Sequence, residues 1–447
     1  MDTKFKEIAS GIDISKSTID VAVMNFNGTV AYKEFSNDIE GAKLSLKLLL
    51  EHNCTEVAME STGPYWYGIY DYLSANGINA ILVNPSKAKS HLVANKTDKL
   101  DSTRLATLHL LNQLKDNKSY VPDKDIRRLR RFARFRANLV DMKTAIKNST
   151  SASISTYSYG MTSIFSDTFG RAGKRFLNVL VQAKDQEELA KELGKLKLTE
   201  ERRNKIIEAA SKSFSPTLDP WLIQKSSEMI SEIESWIVEL DDAIAKAVEL
   251  IPRVKEYVNR LLTIKGVGLD TAQMIAAEIA DIERFKSSGS LVRYSGINPK
   301  VIQSGSVIRY DRLEKGGPPY LRRALYQAAE TMDFFGPQNF QRHYQAVKAR
   351  YGKKAGHVVG TVSTSRKLVR LIWSMLANRS DFTDSPQKLT ARKQNALKNR
   401  VKRFDAKSST KEDDESSNNT PMIKLLLNLP KMNPEVGVQV KQLLEKL

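Results

Sequence analysis

The order of strand and helix patterns in the first 115 residues constrains the fold of this chain more than any other feature. Alternating apolar residues predict a strand over about 7–14 and a second over Thr18–Met24. Asn27-Gly28 is a hairpin turn signal that leads into a third strand, Val30–Phe35. Strand and helix patterns then alternate: a helix capped by Asp38, a strand over Thr55–Glu60, a helix after Pro64, a strand over Ile78–Val83, and a helix from Asp98 to about Leu114.

A meander of three strands followed by strand–helix alternation fits two fold plans, the RNase H-like (RuvC-like) plan and the actin-like ATPase and sugar-kinase plan. Both place an aspartate on the first strand, where this chain has Asp13 between Ile12 and Ile14. The actin-like plan also needs a second glycine-rich phosphate loop and a later adenosine loop, and we find neither pattern. We therefore expect an α/β RNase H-like (RuvC-like) N-terminal domain.

Four segments follow from the patterning along the chain. Residues 1–120 are predicted to form the RuvC-like, metal-dependent catalytic domain, and residues 121–252 a helical coiled-coil arm. The arm would contain a long helix over about Leu222–Leu250, and the polar stretch Lys147–Gly160 would interrupt its first half. Residues 253–378 read as a mainly α domain with a helix-hairpin-helix, and residues 379–447 as a basic, largely disordered tail.

Four acids are candidates for a divalent-metal site. Asp13 and Glu60 lie on predicted strands, and Asp98 and Asp101 are three residues apart on one helix face. Carboxylates gathered in this way suit a pair of Mg²⁺ ions, for which Mn²⁺ can substitute. Taken singly, each acid has an alternative role: Asp98 as a helix cap, Asp101 as a partner of Arg104 or Lys99, and Glu60 as a solvated strand end.

The charge balance favours a polyanionic partner. Lysine and arginine total 70 against 51 aspartate and glutamate residues, a net charge of +19, and nucleic acid is the leading candidate. A basic protein that binds no polyanion is the alternative. The single cysteine, Cys54, excludes an intramolecular disulfide, and we see neither a signal peptide nor an apolar run of membrane-spanning length. The expected location is cytoplasmic and nucleoid-associated.

Three further stretches are candidates for contact with nucleic acid. The helix from Asp125 is dense in arginine, with Phe132 and Phe135 as possible stacking surfaces for bases; a solvated helix face is the alternative. In 262–275, Gly266 and Gly268 would let backbone amides approach a phosphate, although a plain packing turn is equally compatible. Ser304-Gly305 could expose a hydroxyl nucleophile beside basic residues, but such pairs are usually turns. The basic and glycine residues predicted to contact nucleic acid are Arg127, Arg128, Arg130, Arg131, Arg134, Lys265, Gly266, Gly268, Lys300, Arg309, Lys315, Arg322 and Arg323.

As an ordered set, these motifs resemble one family over about residues 7–378: the insertion-sequence transposases numbered 110, with their 1111 subgroup. The motifs that carry the resemblance are Gly11-Ile-Asp-Ile-Ser-Lys16, Met59-Glu-Ser-Thr-Gly63, Val83-Asn-Pro85, Lys96-Thr-Asp-Lys-Leu-Asp101, Ile264-Lys-Gly-Val-Gly268, Gly296-Ile-Asn-Pro299, Ser304-Gly305 and the run from Lys315 to Leu325. The chain departs from the family pattern at Ser295, which is excluded as a nucleophile, and at Pro318-Pro319.

The resemblance implies a DNA transposase or recombinase with a D-E-D-D acid set, Asp13, Glu60, Asp98 and Asp101, and with Ser304 as the residue that bonds covalently to DNA. It also implies double-stranded DNA at the element ends and target as substrate, an element-encoded bridge RNA as guide, and dimers that pair into tetramers. The alternatives are a RuvC-like nuclease that hydrolyses DNA without a covalent serine step, and a nucleic-acid-binding protein without catalysis.

Overall fold

The computed structural model of the chain describes residues 6–60, 63–83, 98–114, 118–157, 160–165, 167–183, 186–196, 198–213, 220–304, 307–314, 316–383 and 387–409. The chain divides into two compact units, Met1–Pro122 and Asp123–Leu447. Within the described ranges, no helix is both long enough and apolar enough to span a membrane.

The first unit is built on a five-stranded sheet of β1 (Ile8–Ile14), β2 (Thr18–Asn25), β3 (Gly28–Ser36), β4 (Glu56–Glu60) and β5 (Asn79–Val83). The strands lie in the order β3-β2-β1-β4-β5. The first three strands are antiparallel, and β4 and β5 continue the sheet in parallel with β1. Gly28 has a φ of +126°, which glycine tolerates, and it closes the predicted hairpin between the second and third strands. The predicted order of the five strands along the chain is confirmed.

Helices cover both faces of this sheet because strand residues of both phases are apolar. Helices α1 (Ile39–Glu51) and α2 (Trp66–Ala75) pack on the face that includes Ile12 and Met59. Helix α3 (Asp98–Leu110) packs on the opposite face, where Ala58 meets its apolar side. The described sheet and its helices therefore form the α/β layers of an RNase H-like arrangement.

The second unit begins with two long helices that pack against each other, α4 (Lys124–Tyr157) and α8 (Pro220–Glu249). The predicted interruption from Lys147 onward is wrong, since α4 continues to Tyr157. The hydroxyls of Thr150 and Ser153 donate to carbonyls one turn earlier, so these polar side chains bond within the helix instead of ending it. Between the long helices lie α5 (Arg171–Gln182), α6 (Gln186–Lys195) and α7 (Glu200–Ser211), which share an apolar core with one end of α8.

The remainder of the second unit surrounds a larger apolar core. Leu261, Ile275 and Leu368 are among its fully buried members. Its elements are α9 (Pro252–Thr263), α10 (Leu269–Ile279), α11 (Ser288–Tyr294), the hairpin of β6 (Pro299–Ser304) and β7 (Val307–Leu313), α12 (Pro319–Phe335), α13 (Gln338–Tyr351) and α14 (Lys353–Ala377).

The tail prediction requires a correction over residues 387–409. Gln387–Ser409 forms a helix, α15, and it packs against α8 and α9. Leu397 is buried in the core, and Arg403 is ion-paired with the buried carboxylate of Asp242. The sequence did not reveal this helix because it has few apolar residues and is attached mainly through its charges. Residues 410–447, which carry the rest of the predicted disorder, lie outside the described residues.

Candidate active site

Asp13 and Glu60 lie on adjacent parallel strands at their carboxyl ends. The register pairs Gly11 with Ala58 and Ile12 with Met59, and one further step along both strands sets Asp13 beside Glu60. Adjacent strands are about 4.8 Å apart, so the two side chains project as neighbours. Both acids are half-buried. They form the part of the predicted acid set that the sheet itself positions.

Helix α3 crosses the same face of the sheet, and Gly11 makes that close approach possible. A Cβ atom at Gly11 would lie 2.4 Å from both the amide nitrogen of Ala106 and the carbonyl oxygen of Ser102. Only a residue without a side chain fits beneath the helix backbone at this point. Because Asp13 is two residues after Gly11, it projects from the face that α3 covers.

Asp101 lies in the first half of α3, one residue before the Ser102 carbonyl that rests on Gly11. Its nearest cation is Arg104, whose Nη1 is 4.0 Å from Asp101 Oδ1, at the outer limit for an ion pair. Asp98 is the first residue of the helix, and its side chain lies outside the described residues. The backbone of α3 thus carries the predicted Asp98–Asp101 turn on the face that Asp13 and Glu60 share.

The donor set suits a hard divalent cation. Mg²⁺ is commonly bound through one or two carboxylates with waters and substrate phosphates completing its shell, and Asp13 with Glu60 offers such a pair. In the part of the chain that the structure describes, no group of three or more His, Cys, Asp or Glu residues stands close enough to enclose a metal ion by itself.

The structure adds a carboxylate that the sequence analysis missed. Asp20 on β2 is the direct partner of Asp13 across the antiparallel pair, and it is only 1% exposed. The Tyr32 hydroxyl donates to Asp20 Oδ1 at 2.5 Å. A signal was available in the sequence, because Asp20 stands between Ile19 and Val21 just as Asp13 stands between two isoleucines.

A second polar cluster lies near the opposite end of β1 and β4. The Lys6 ammonium donates to the Glu56 carboxylate and lies 2.9 Å from His109 Nε2. Burial acts to raise the pKa of Glu56, but hydrogen bonds from Lys6 and Asn79 outweigh it and lower that pKa to about 2. Burial and the nearby Lys6 charge lower the pKa of His109. Every polar group named here is bonded within the protein, so this cluster is structural.

The serine predicted as nucleophile ends a strand. Ser304 is the last residue of β6 and pairs with Val307, which places it at the tip of a hairpin. The side chain of Ser304 lies outside the described residues, as do those of Arg309 and Lys315. Ser295 is fully buried and its hydroxyl donates to the Val292 carbonyl at 2.7 Å, so it is unsuited to attack a substrate.

Two family profiles match the chain in separate segments. Residues 10–158 match the DEDD transposase profile of the IS110 type, described as a transposase, and residues 258–345 match the transposase IS116/IS110/IS902 family. The chain belongs to the insertion-sequence 110 family of transposases. The first match contains Asp13, Glu60, Asp98 and Asp101, and the second contains Ser304.

Two relatives match most of the length of this transposase, and a third matches a shorter segment. The pilin gene-inverting protein of Moraxella bovis is 22% identical over 381 residues, which covers 83% of this chain and 96% of the relative. The transposase for insertion sequence element IS1111A of Coxiella burnetii is 22% identical over 377 residues, which covers 83% and 90%. A shorter match, 34% identical over 107 residues, covers 23% of this chain and 31% of the transposase for insertion sequence element IS1533 of Leptospira borgpetersenii.

Two arginines of α4 that are predicted to contact phosphates bind residues of α10 instead. Arg134 Nε and Nη2 bind both carboxylate oxygens of Glu278 at 2.6 and 2.9 Å. Arg130 donates to the carbonyls of Ala277 and Glu278, at 2.8 Å each. The prediction that all five arginines face nucleic acid is therefore corrected for these two. Their partner lies on α10, more than 140 residues later, where the helix pattern gave no sign of it.

The remaining arginines of α4 differ in exposure. Arg127 is buried, Arg128 lies over the Phe132 ring at 5.4 Å from its centroid, and Arg131 is exposed. Phe132 is itself 4% exposed and belongs to the apolar core, with Phe135 packed against it. Phe132 cannot stack on bases, because it fills the interface of α4 with the rest of its unit. Base stacking by Phe135, which is half-buried, stays a prediction. Arg131 is the clearest surviving candidate for phosphate contact on this helix.

The segment predicted as a helix-hairpin-helix forms two packed helices, α9 and α10, joined by a tight turn. Gly266 has a φ of +95° in that turn, and its carbonyl accepts the Thr331 hydroxyl at 2.8 Å. Lys265 is half-buried, and Gly268, which precedes the first turn of α10, is exposed. Gly268 is therefore an exposed position at the start of α10.

The C-terminal helix α15 holds this turn in place. The Lys393 ammonium donates to the carbonyls of Leu262, Ile264 and Val267 at 3.1, 3.1 and 2.7 Å. Burial lowers the pKa of Lys393. In the first turn of α10, Asp270 is ion-paired with Arg136 and Arg400, so cations from α4 and α15 converge beside the turn.

The basic residues predicted to contact nucleic acid near the serine hairpin differ in their exposure and in their partners within the protein. Lys300 on β6 is exposed. Arg323 on α12 is ion-paired with Asp141, with Nη2 2.7 Å from Oδ1, and that carboxylate is largely exposed. The Arg322 Nη1 atom is buried and has no hydrogen-bond partner among the described residues, and it lies close to the space that a side chain at Gly296 would need. Of the three basic residues here whose side chains are described, Lys300 is the most accessible to a phosphate.

Proposed function

We propose that this chain cuts and rejoins DNA strands at the ends of an insertion sequence. Its site would be the acids Asp13, Glu60, Asp98 and Asp101 with bound Mg²⁺, two ions for which Mn²⁺ can substitute, together with Ser304. The observation that carries the proposal is the alignment of Asp13 with Glu60 at the carboxyl ends of adjacent strands, under a helix that bears the other two acids. Family membership supports the reaction class.

In the covalent step, Ser304 Oγ would bond to the scissile phosphorus while one bond from that phosphorus to a deoxyribose oxygen breaks. The proton of the hydroxyl would leave to solvent or a carboxylate, and the departing deoxyribose oxygen would take one up. When bound, the divalent ions would offset negative charge on the phosphate. Rejoining would reverse the exchange, with a strand hydroxyl attacking the phosphoserine bond and releasing Ser304.

The partners in this proposal are double-stranded DNA at the element ends and target, and a bridge RNA encoded by the element. Dimers that pair into tetramers would bring residues of several subunits to one DNA. Net charge supports a polyanionic partner. The side chains and glycines assigned to nucleic-acid contact are Arg127, Arg128, Arg131, Lys265, Gly266, Gly268, Lys300, Arg309, Lys315, Arg322 and Arg323.

The segments carry separate parts of this function. Residues 1–120 would supply the acids, residues 121–252 would act as a coiled-coil arm in assembly, and residues 253–378 would supply the serine and the helix-hairpin-helix. The packing of α4 against α8 supports the arm, and the exposed start of α10 after a turn with a left-handed glycine supports the hairpin. Exposed backbone amides at a helix start are a common phosphate site.

The serine is tested with Ser304→Ala and its matched control Ser295→Ala. Purified protein is incubated with DNA carrying both element ends, candidate bridge RNA and Mg²⁺, and protein–DNA adducts are resolved on denaturing gels. We expect Ser304→Ala to abolish adducts and strand transfer, and Ser295→Ala to retain them. Strand cleavage that persists in Ser304→Ala without adducts would favour the RuvC-like hydrolytic nuclease instead.

The acid set is tested with Asp13→Asn and Glu60→Gln under the same conditions. Each should reduce cleavage by at least about 100-fold if the carboxylates hold the catalytic cation. Binding of element-end DNA should remain close to that of the unmodified protein, as measured by gel shift. Undiminished cleavage by both variants would contradict the metal site and favour a protein that only binds nucleic acid.

A further inference from the structure

Four carboxylates form one row across four neighbouring strands of the first unit. Asp20 pairs with Asp13 across β2 and β1, and Glu34 pairs with Asp20 across β3 and β2. The register of β1 with β4, continued by one residue, adds Glu60. Directly opposed residues of neighbouring strands share a face, so all four side chains leave the sheet on the side of α3. The metal-site acids Asp13 and Glu60 thus occupy the β1 and β4 end of a longer row.

Asp20 is the member of this row that is most withdrawn from water. Its side chain is 1% exposed, whereas Glu34 at the end of the row is exposed. Among the described residues no ion pair reaches Asp20, and the hydrogen bond that it accepts comes from the neutral hydroxyl of Tyr32. A buried carboxylate opposite a second carboxylate is costly unless a cation is close. The charge of Asp20 therefore favours a cation bound at the neighbouring acids Asp13 and Glu60.

Tyr32 connects this row to the helix that carries the remaining acids. Its ring lies under the Lys99 ammonium, 5.2 Å from the ring centroid, and Lys99 follows Asp98 at the start of α3. Tyr32 belongs to a second cross-strand row with Ala22 and Gly11, and Gly11 contacts α3 at Ser102. The same tyrosine thus holds Asp20 through its hydroxyl and contacts the first turn of α3 through its ring.

We propose that Asp20 is a positioning residue of the metal site. Asp20 is held by Tyr32, and from the neighbouring strand it strengthens the binding of a cation at Asp13 and Glu60. The inference rests on the proposed metal site. Asp20 acts through Asp13 and through waters around the cation, in the way that outer carboxylates tune first ligands. Its negative charge, which no ion pair among the described residues offsets, favours a cation at the neighbouring carboxylates.

The test is Mn²⁺ binding to the full-length protein by isothermal titration calorimetry, with thermal unfolding measured in the absence of metal. Asp20→Asn keeps the size of the side chain and an acceptor for Tyr32 while removing the charge. We expect Mn²⁺ affinity to fall about 10- to 100-fold, and the metal-free melting temperature to rise because repulsion with Asp13 is relieved. A purely structural role predicts the opposite sign for the metal-free melting temperature.

Two further variants sharpen the measurement. Tyr32→Phe leaves the ring under Lys99 and removes the hydroxyl, so Mn²⁺ affinity should fall by a smaller factor than in Asp20→Asn. Glu34→Gln changes an exposed carboxylate in the same row, and its affinity should stay within about twofold, since an exposed charge is well screened by solvent. An Asp20→Asn affinity equal to that of Glu34→Gln, or a lower metal-free melting temperature, would overturn the proposal.

Failure of the metal site itself gives a different result. If the unmodified protein and Asp13→Asn release the same heat with Mn²⁺, the site of the proposed function is wrong and the role of Asp20 falls with it. If Asp13→Asn loses binding while Asp20→Asn retains it fully, the metal site stands and only the role of Asp20 is refuted.

Discussion

Arg134 and Glu278 form a two-point ion pair between α4 and α10, with nitrogen–oxygen distances of 2.6 and 2.9 Å. The Glu278 side chain is fully buried, while that of Arg134 is 36% exposed. Two hydrogen bonds from Arg130 to backbone carbonyls reinforce the same contact. The arginines of α4 thus partly serve to hold α4 against α10 within the second unit.

Removal of the Glu278 carboxylate should destabilise the second unit. Glu278→Ala removes both hydrogen bonds that Arg134 donates to the carboxylate, which costs about 1–3 kcal/mol because the arginine left behind is partly solvated. Urea unfolding followed by circular dichroism measures this loss. Glu283→Ala, at an exposed acid after the same helix, should change the free energy of unfolding by less than about 0.5 kcal/mol. Equal effects of the two variants would show that the ion pair between Arg134 and Glu278 does not stabilise the second unit.

A side chain at Gly11 should displace α3 from the sheet. Gly11→Ala places a methyl group against two backbone atoms at 2.4 Å, and backbone cannot move aside as a flexible side chain can. We expect a loss of at least about 1–3 kcal/mol in unfolding free energy, together with loss of DNA cleavage. Gly68→Ala, in α2 with no atom within 4 Å of its new methyl, should be neutral or slightly stabilising. Thermal unfolding and a cleavage assay on both variants check the prediction.

Lys393 should control the mobility of the turn between α9 and α10. Lys393→Ala removes three hydrogen bonds to turn carbonyls, so backbone amides over 264–268 should exchange with deuterium at least about tenfold faster. Lys398→Ala, at an exposed position of the same helix, should leave exchange there unchanged. If exchange in Lys393→Ala is as slow as in the unmodified protein, the turn is stable without the hydrogen bonds from Lys393.

The first unit should lose stability in acid through Glu56. Its pKa lies at about 2 in the folded protein, below the ordinary value of 4.5. The stabilisation is therefore complete above pH 4.5 and is lost as pH falls toward 2. We expect Glu56→Gln to reduce the change in melting temperature between pH 5 and pH 3 by roughly half. Glu40→Gln, at an exposed acid on α1, should follow the unmodified protein, and an unchanged slope in Glu56→Gln would refute the role of this carboxylate.

Several parts of the fold could be predicted because they depend on neighbours in the chain. Apolar alternation located the strands, Asn27-Gly28 located the hairpin, and Asp38 caps α1 as expected, accepting from the Gly41 amide at 2.8 Å. The segment 387–409 could not be predicted in this way. Its ion pairs come from Arg400 and Arg403, whose carboxylate partners lie more than 100 residues away in the chain.

The sequence by itself determined the strand and helix order, the basic charge and the ordered motifs that place this chain among the transposases, since all of these are read from local spacing. Tertiary structure alone decided which charges meet. Strand register set Asp20 beside Asp13, and the packing of α4 on α10 turned Arg134 toward Glu278 and away from solvent. The physical reason is that periodicity specifies which face of an element is apolar, whereas the partner of a charged group is chosen by packing between elements distant in the chain.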